Sequence, residues 1–123
     1  MANCRVKENH ERSYEAPIMG SAGDLVKIVR RDDDAPGWIW CAHAVSGLAG
    51  WVPEAFLGCG DQPAAVLRRD YSAMELSVFV GQTLQTFESV AGWTWSVSTA
   101  GDGGWVPTHK LEILNPEGAI GAA

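Results

Sequence analysis

Trp38-Ile39-Trp40-Cys41, answered by Gly50-Trp51-Val52-Pro53, is the stretch whose reading decides the fold. It recurs as Trp93-Thr94-Trp95-Ser96 followed by Gly104-Trp105-Val106-Pro107. All six tryptophans fall in these two cassettes. The separation is 55 residues at Trp38/Trp93 and 54 at Trp51/Trp105, while Gly23 and Gly81 upstream match at 58. A fixed self-similarity of this kind outranks length as a guide to architecture. Within each cassette the alternation is that of a strand, with Trp38 and Trp40 on one face and Ile39 and Cys41 on the other. Ser46-Gly47 makes a hairpin turn to a strand over 49–52. Pro53 cannot donate a ladder hydrogen bond and ends it. Pro53-Glu54-Ala55-Phe56 then fits one 3₁₀ turn.

Outward from the first cassette, residues 4–9 read as a short strand and 10–23 as a long polar loop. Leu25 to Arg31 alternates as a strand, and Asp32-Asp33-Asp34-Ala35-Pro36-Gly37 is an acidic turn. Leu57 starts a last short strand. The second copy repeats the order: strand 65–70, loop 71–81, strand 83–90, hairpin 92–99 with 103–107, turn 108–110 and strand 111–114. No segment holds a 3.6-residue period, so almost no α-helix is expected. The expected organisation is one domain over 1–58, a linker over 59–63, a second domain over 64–114 and a fraying tail over 115–123. Each unit, at about 55–60 residues, is near the lower limit for a domain without staples. Val6, Ile18, Val26, Ile28, Ile39, Cys41, Val52 and Leu57 are expected in the first core. Leu67, Leu76, Leu84, Val97, Val106 and Leu111 are expected in the second.

The net charge of −6 argues against nucleic acid and anionic membranes as partners, since their binders need basic patches. It suits basic peptides. Cys4, Cys41 and Cys59 form an odd set with no CxxC spacing, the N-terminal residues are polar, and no apolar run has the length of a membrane span. A reduced cytoplasmic setting is the expectation. His10, His43 and His109 show no ligand spacing with the cysteines, and no nucleophile or phosphate-loop motif occurs. No metal, no cofactor and no enzymatic activity are expected.

Each copy resembles an SH3 domain, and the Trp-x-Trp steps with poor opening signatures resemble the bacterial variant SH3 branch. The resemblance rests on Ile18, Gly23-Asp24, Trp38, Gly50-Trp51-Val52-Pro53 and Phe56-Leu57 in the first copy. In the second it rests on Glu75-Leu76-Ser77-Val78, Gly81, Trp93, Gly104-Trp105-Val106-Pro107 and Leu111. It implies an all-β fold of two tandem SH3-like five-stranded, partly open barrels. It also implies a shelf for polyproline-II peptides, built from two opening tyrosines, the first Trp, the motif Pro and a final Tyr. On that pattern the first copy offers Trp38, Pro53 and Phe56, with Glu8 and His10 in place of the tyrosines. The second offers Tyr71, Trp93 and Pro107, with Arg69 and Lys110 as replacements. Each groove thus keeps three of five positions. Asp32, Asp33 and Asp34, with Glu11 and Glu15 in the long loop, form an acidic flank for a basic ligand residue.

The leading expectation is a protein- or peptide-binding tandem with partly eroded grooves, for basic or proline-containing peptides. Open beside it are a structural tandem whose domains pack together, recognition of cell-wall peptide, and an aromatic cage around Trp38 and Phe56 for a methylated Lys.

Overall fold

A computed structural model describes residues 2–32, 34, 37–58 and 63–114. Asp33, Cys59, most of the expected linker and the tail from 115 lie outside the described residues. The described chain is all-β, with strands β1 (Ala2–Val6), β2 (Met19–Gly20), β3 (Leu25–Arg31), β4 (Trp38–His43), β5 (Ala49–Pro53) and β6 (Leu57–Gly58). β7 (Ala64–Leu67), β8 (Tyr71–Ser72), β9 (Thr83–Val90), β10 (Trp93–Ser98), β11 (Gly103–Pro107) and β12 (Leu111–Leu114) follow. One 3₁₀ turn at Glu54–Phe56 and another at Thr108–Lys110 sit after the two cassette prolines, as expected.

Two five-stranded sheets form, curled in the manner of SH3-like barrels. Their strand orders are β11-β10-β9-β1-β12 and β5-β4-β3-β7-β6. The opening strand of each repeat therefore lies in the sheet of the other repeat. β1 pairs with β9 (Cys4 opposite Leu84, Arg5 opposite Thr83) and with β12 (Val6 opposite Leu111). β7 pairs with β3 (Leu25 opposite Val66, Val26 opposite Ala65) and with β6 (Leu57 opposite Leu67). The compact units are Tyr14–Met74, here the continuous barrel, and Met1–Ser13 with Glu75–Ala123, the split barrel. The expected boundaries, 1–58 and 64–114, follow the repeats and not these units. The physical reason is that the opening strands carry equivalent patterns: each turns a small and a branched residue inward, Cys4 and Val6 or Ala65 and Leu67. Either strand satisfies either sheet, and the chain passes between units inside the two long opening loops.

The cores follow the exchange. Cys4, Val6, Leu76, Val78, Leu84, Val106 and Leu111 form one buried cluster in the split barrel. Ile18, Val26, Ile39, Cys41, Val52, Phe56, Ala65 and Leu67 are buried in the continuous one. Val6 and Leu67 have thus traded places relative to expectation. Ile28 is only half-buried because a bulge follows it, shifting register between Ile28 and Arg30. Leu57 is half-buried in a strand of two residues. Val97 is also half-buried, because on β10 it shares its face with Trp93 and Trp95 while Thr94 and Ser96 point inward. Those hydroxyls are satisfied: Thr94 Oγ1 lies 2.8 Å from both Ser89 Oγ and Thr108 Oγ1, and Ser96 Oγ donates to the Thr94 carbonyl. Burial pushes the Cys41 thiol up to about 11 and raises that of Cys4, so neither is a reactive thiolate at neutral pH.

The cassette glycine has a packing cause. A Cβ on Gly104 would lie 2.7 Å from the Leu76 amide nitrogen. That close approach lets Leu76 N donate to the Trp105 carbonyl and holds the opening loop against β11.

Candidate peptide-binding groove

Strand alternation sends Ile39 and Cys41 into the core and leaves Trp38 and Trp40 half-buried on the outer face of β4. Trp38 lies opposite Pro53, and Trp40 opposite Trp51. Residues paired in this way have Cβ atoms about 4.5–5.5 Å apart, so Trp38 and Pro53 are neighbours, with Trp38 half-buried and Pro53, like Phe56 and Tyr71, buried. Pro53 leads into the 3₁₀ turn, whose first amide donates to the Gly37 carbonyl and whose last residue is Phe56. Phe56 meets Tyr71 edge to face, with ring centroids 5.5 Å apart at 74°. Tyr71 is held by β8, which pairs with β2, and its hydroxyl donates to the Trp51 carbonyl at 2.7 Å. The Arg69 guanidinium carbon lies 4.3 Å from the centre of the Phe56 ring.

The continuous barrel therefore gathers Trp38, Pro53, Phe56 and Tyr71, with Arg69 at the end of the row. This differs from the expected allotment, in which Tyr71 sat with Trp93 and Pro107. The strand exchange moves it. In the split barrel Trp93 is half-buried opposite Pro107, but its aromatic neighbour is His10, at 5.6 Å and 75°. His10 Nε2 is 2.8 Å from Glu75 Oε1, which also accepts from the Ser13 amide and hydroxyl. Lys110 Nζ donates to the Asn9 carbonyl at 3.1 Å and lies 3.4 Å from His10 Nδ1. Where the first groove has Phe56 against Tyr71, the second has a hydrogen-bonded polar set.

Asp32 lies beside Trp38, its amide donating to the Trp38 carbonyl at 3.0 Å, and its carboxylate accepts from the Asp34 amide at 2.9 Å. Glu15 belongs to the continuous barrel, whereas Glu11 belongs to the split one. Sequence reasoning missed a second aromatic row on the same face of the continuous barrel. There Trp40 meets Trp51 at 5.0 Å and Tyr14 at 5.6 Å, and the Arg30 guanidinium lies 4.9 Å from Trp51. The register of β4 against β5 was its signal, since Trp40 and Trp51 are symmetric about the same hairpin turn.

A family model described as the variant SH3 domain matches residues 3–58. That match makes residues 3–58 similar to a single variant SH3 domain. Over 57 residues the chain is 39% identical to Myosin-1 of Aspergillus niger, a stretch covering 46% of this chain and 4% of that protein. No solved structure matches the chain. The matched stretch includes β1, which the fold places in the split barrel, so the unit recognised in sequence and the unit that packs together are not the same set of residues. Among the described residues no three His, Cys, Asp or Glu side chains cluster as a metal site, and no helix is long and apolar enough to cross a membrane.

Proposed function

We propose that this chain is a tandem SH3-like peptide-binding module with one working groove, lined by Trp38, Pro53, Phe56 and Tyr71 in the continuous barrel. The observation that carries this reading is the Phe56–Tyr71 edge contact on the same barrel as the Trp38–Pro53 pair. A rigid aromatic and proline set of this kind, with half-buried Trp38 at its exposed side, suits a polyproline-II segment, which loses little entropy on docking. Asp32 beside Trp38, with Asp34 bonded to it, supports a basic residue in the ligand. The split barrel serves as scaffold: Glu8, His10 and Lys110 replace shelf aromatics, and the bonds among His10, Glu75, Ser13 and Lys110 support a structural role for Trp93 and Pro107. The free, buried Cys4 and Cys41 support a reducing, cytoplasmic setting.

The test is a titration of a proline-rich peptide library followed by tryptophan fluorescence. Trp38→Ala and Tyr71→Ala should each abolish the response, and Trp93→Ala should leave it within twofold. Binding that survives Trp38→Ala and is lost in Trp93→Ala would place the site in the other barrel and sink the reading.

A further inference from the structure

Arg69 takes the place of the first aromatic of the shelf, and its geometry changes what that end of the groove accepts. Carbon atoms touch at about 3.5–4.0 Å. A proline ring held between two flat walls therefore needs those walls about 7 Å apart. The guanidinium carbon of Arg69 sits over the Phe56 ring, 4.3 Å from its centre, so the two groups are already in contact and leave no slot for a ring. The five N–H donors of the guanidinium lie in its plane, so it can serve a carboxylate alongside other partners, in the two-point geometry for which Arg is suited. Arg69 is exposed, as is neighbouring Arg68. The adjacent Asp70 uses its carboxylate to accept from the Ala22 amide at 2.9 Å. Beside Trp38 the carboxylate of Asp32 accepts from the Asp34 amide, and Arg31 pairs with Glu54 at 3.1 Å.

We propose that Arg69 is a specificity residue that pairs with an Asp or Glu side chain of the ligand, three residues from the proline that fills the shelf. This rests on the groove reading above. The spacing follows from the polyproline-II repeat of three residues per turn at about 3.1 Å each, which puts side chains on the same edge about 9 Å apart. The ligand is then a single-proline peptide carrying an acidic residue at the Arg69 end, and a PxxP peptide has one proline too many.

The test uses three capped peptides, each with one central proline and alike except at both positions three residues away, which hold Glu, Gln or Pro. Charged hydrogen bonds contribute about 1.5–3 kcal/mol, so the Glu peptide should bind about tenfold or more tighter than the Gln peptide at low salt. Arg69→Gln should level the two, and Arg69→Glu should turn the preference against the Glu peptide. Unchanged tryptophan emission in both variants checks that they fold. Equal binding of Glu and Gln peptides by the native chain, a preference for the Pro peptide, or a Glu preference that persists in Arg69→Gln would each overturn the role of Arg69 while leaving the groove standing. No binding of any peptide overturns both.

Discussion

Truncating Leu67 separates the exchanged topology from the colinear one. Leu67 is 1% exposed, sits on β7 opposite Leu57, donates its amide to the Asp24 carbonyl and accepts from the Gly23 amide. Its Cδ1 fills the space beside Gly20, where an added Cβ would approach to 2.9 Å. Leu67→Ala should cost about 2–5 kcal/mol, the transfer energy of the lost atoms plus the cavity they leave. The loss belongs to the continuous barrel. At tenfold per 1.4 kcal/mol, amides of β3 and β4 should exchange with deuterium about 30-fold to several thousand-fold faster. Those of β9 and β10 should hold their protection, and Val6→Ala should give the mirror result at a cost of about 2 kcal/mol. Hydrogen exchange read by mass spectrometry resolves these segments. Lost protection over 83–98 in Leu67→Ala, with 25–43 unchanged, would refute the exchange.

Two further predictions concern loop contacts, one in each barrel. Gly104→Ala should destabilise the split barrel by about 1–3 kcal/mol in a denaturant titration, because its Cβ meets the Leu76 backbone and not a movable side-chain end. Asp24 is held below the usual carboxylate range by its hydrogen bond to His43 at 2.8 Å and by the Ser21 amide. A depressed folded value means that Asp24 adds stability above the unfolded value, about 3.9, and loses it as pH falls through the lower folded value. Asp24→Asn should therefore flatten the acid limb of stability against pH below about 4 and lower stability at pH 7, both readable by thermal melts.

The two cassettes made the strands of the five-stranded sheets, both hairpins and both turns after the prolines legible, because alternation, turn glycines and cassette prolines act locally, whereas β2 and β8 lie in stretches expected as loops. The sorting of Trp38 and Trp40 from Ile39 and Cys41 followed from the same alternation. Sheet membership of the opening strands was not legible. Cys4-Arg5-Val6 and Ala65-Val66-Leu67 carry the same inward pattern, so the choice between sheets is made by closure of the whole chain. The groove inherits that ambiguity: Tyr71 was recognisable as a shelf residue, but its partners depended on which barrel received β7. Val97 is expected in the core on apolar character alone, whereas Thr94 and Ser96 are buried there because Thr94 bonds the Ser89 and Thr108 hydroxyls and Ser96 bonds the Thr94 carbonyl.

The most direct measurement of the account is a disulfide across β3 and β7. Leu25 and Val66 are exposed partners on these adjacent antiparallel strands, where Cα atoms lie about 4.5–5.5 Å apart, within disulfide reach. In a colinear chain Leu25 would instead face Arg5, the equivalent of Val66. The pair Leu25→Cys with Val66→Cys, in a Cys59→Ser background, should oxidise to an intramolecular bond mapped by peptide mass, and Arg5→Cys with Leu25→Cys should not. A bond between positions 5 and 25, with none between 25 and 66, would contradict the strand exchange and return Tyr71 to the side of Trp93.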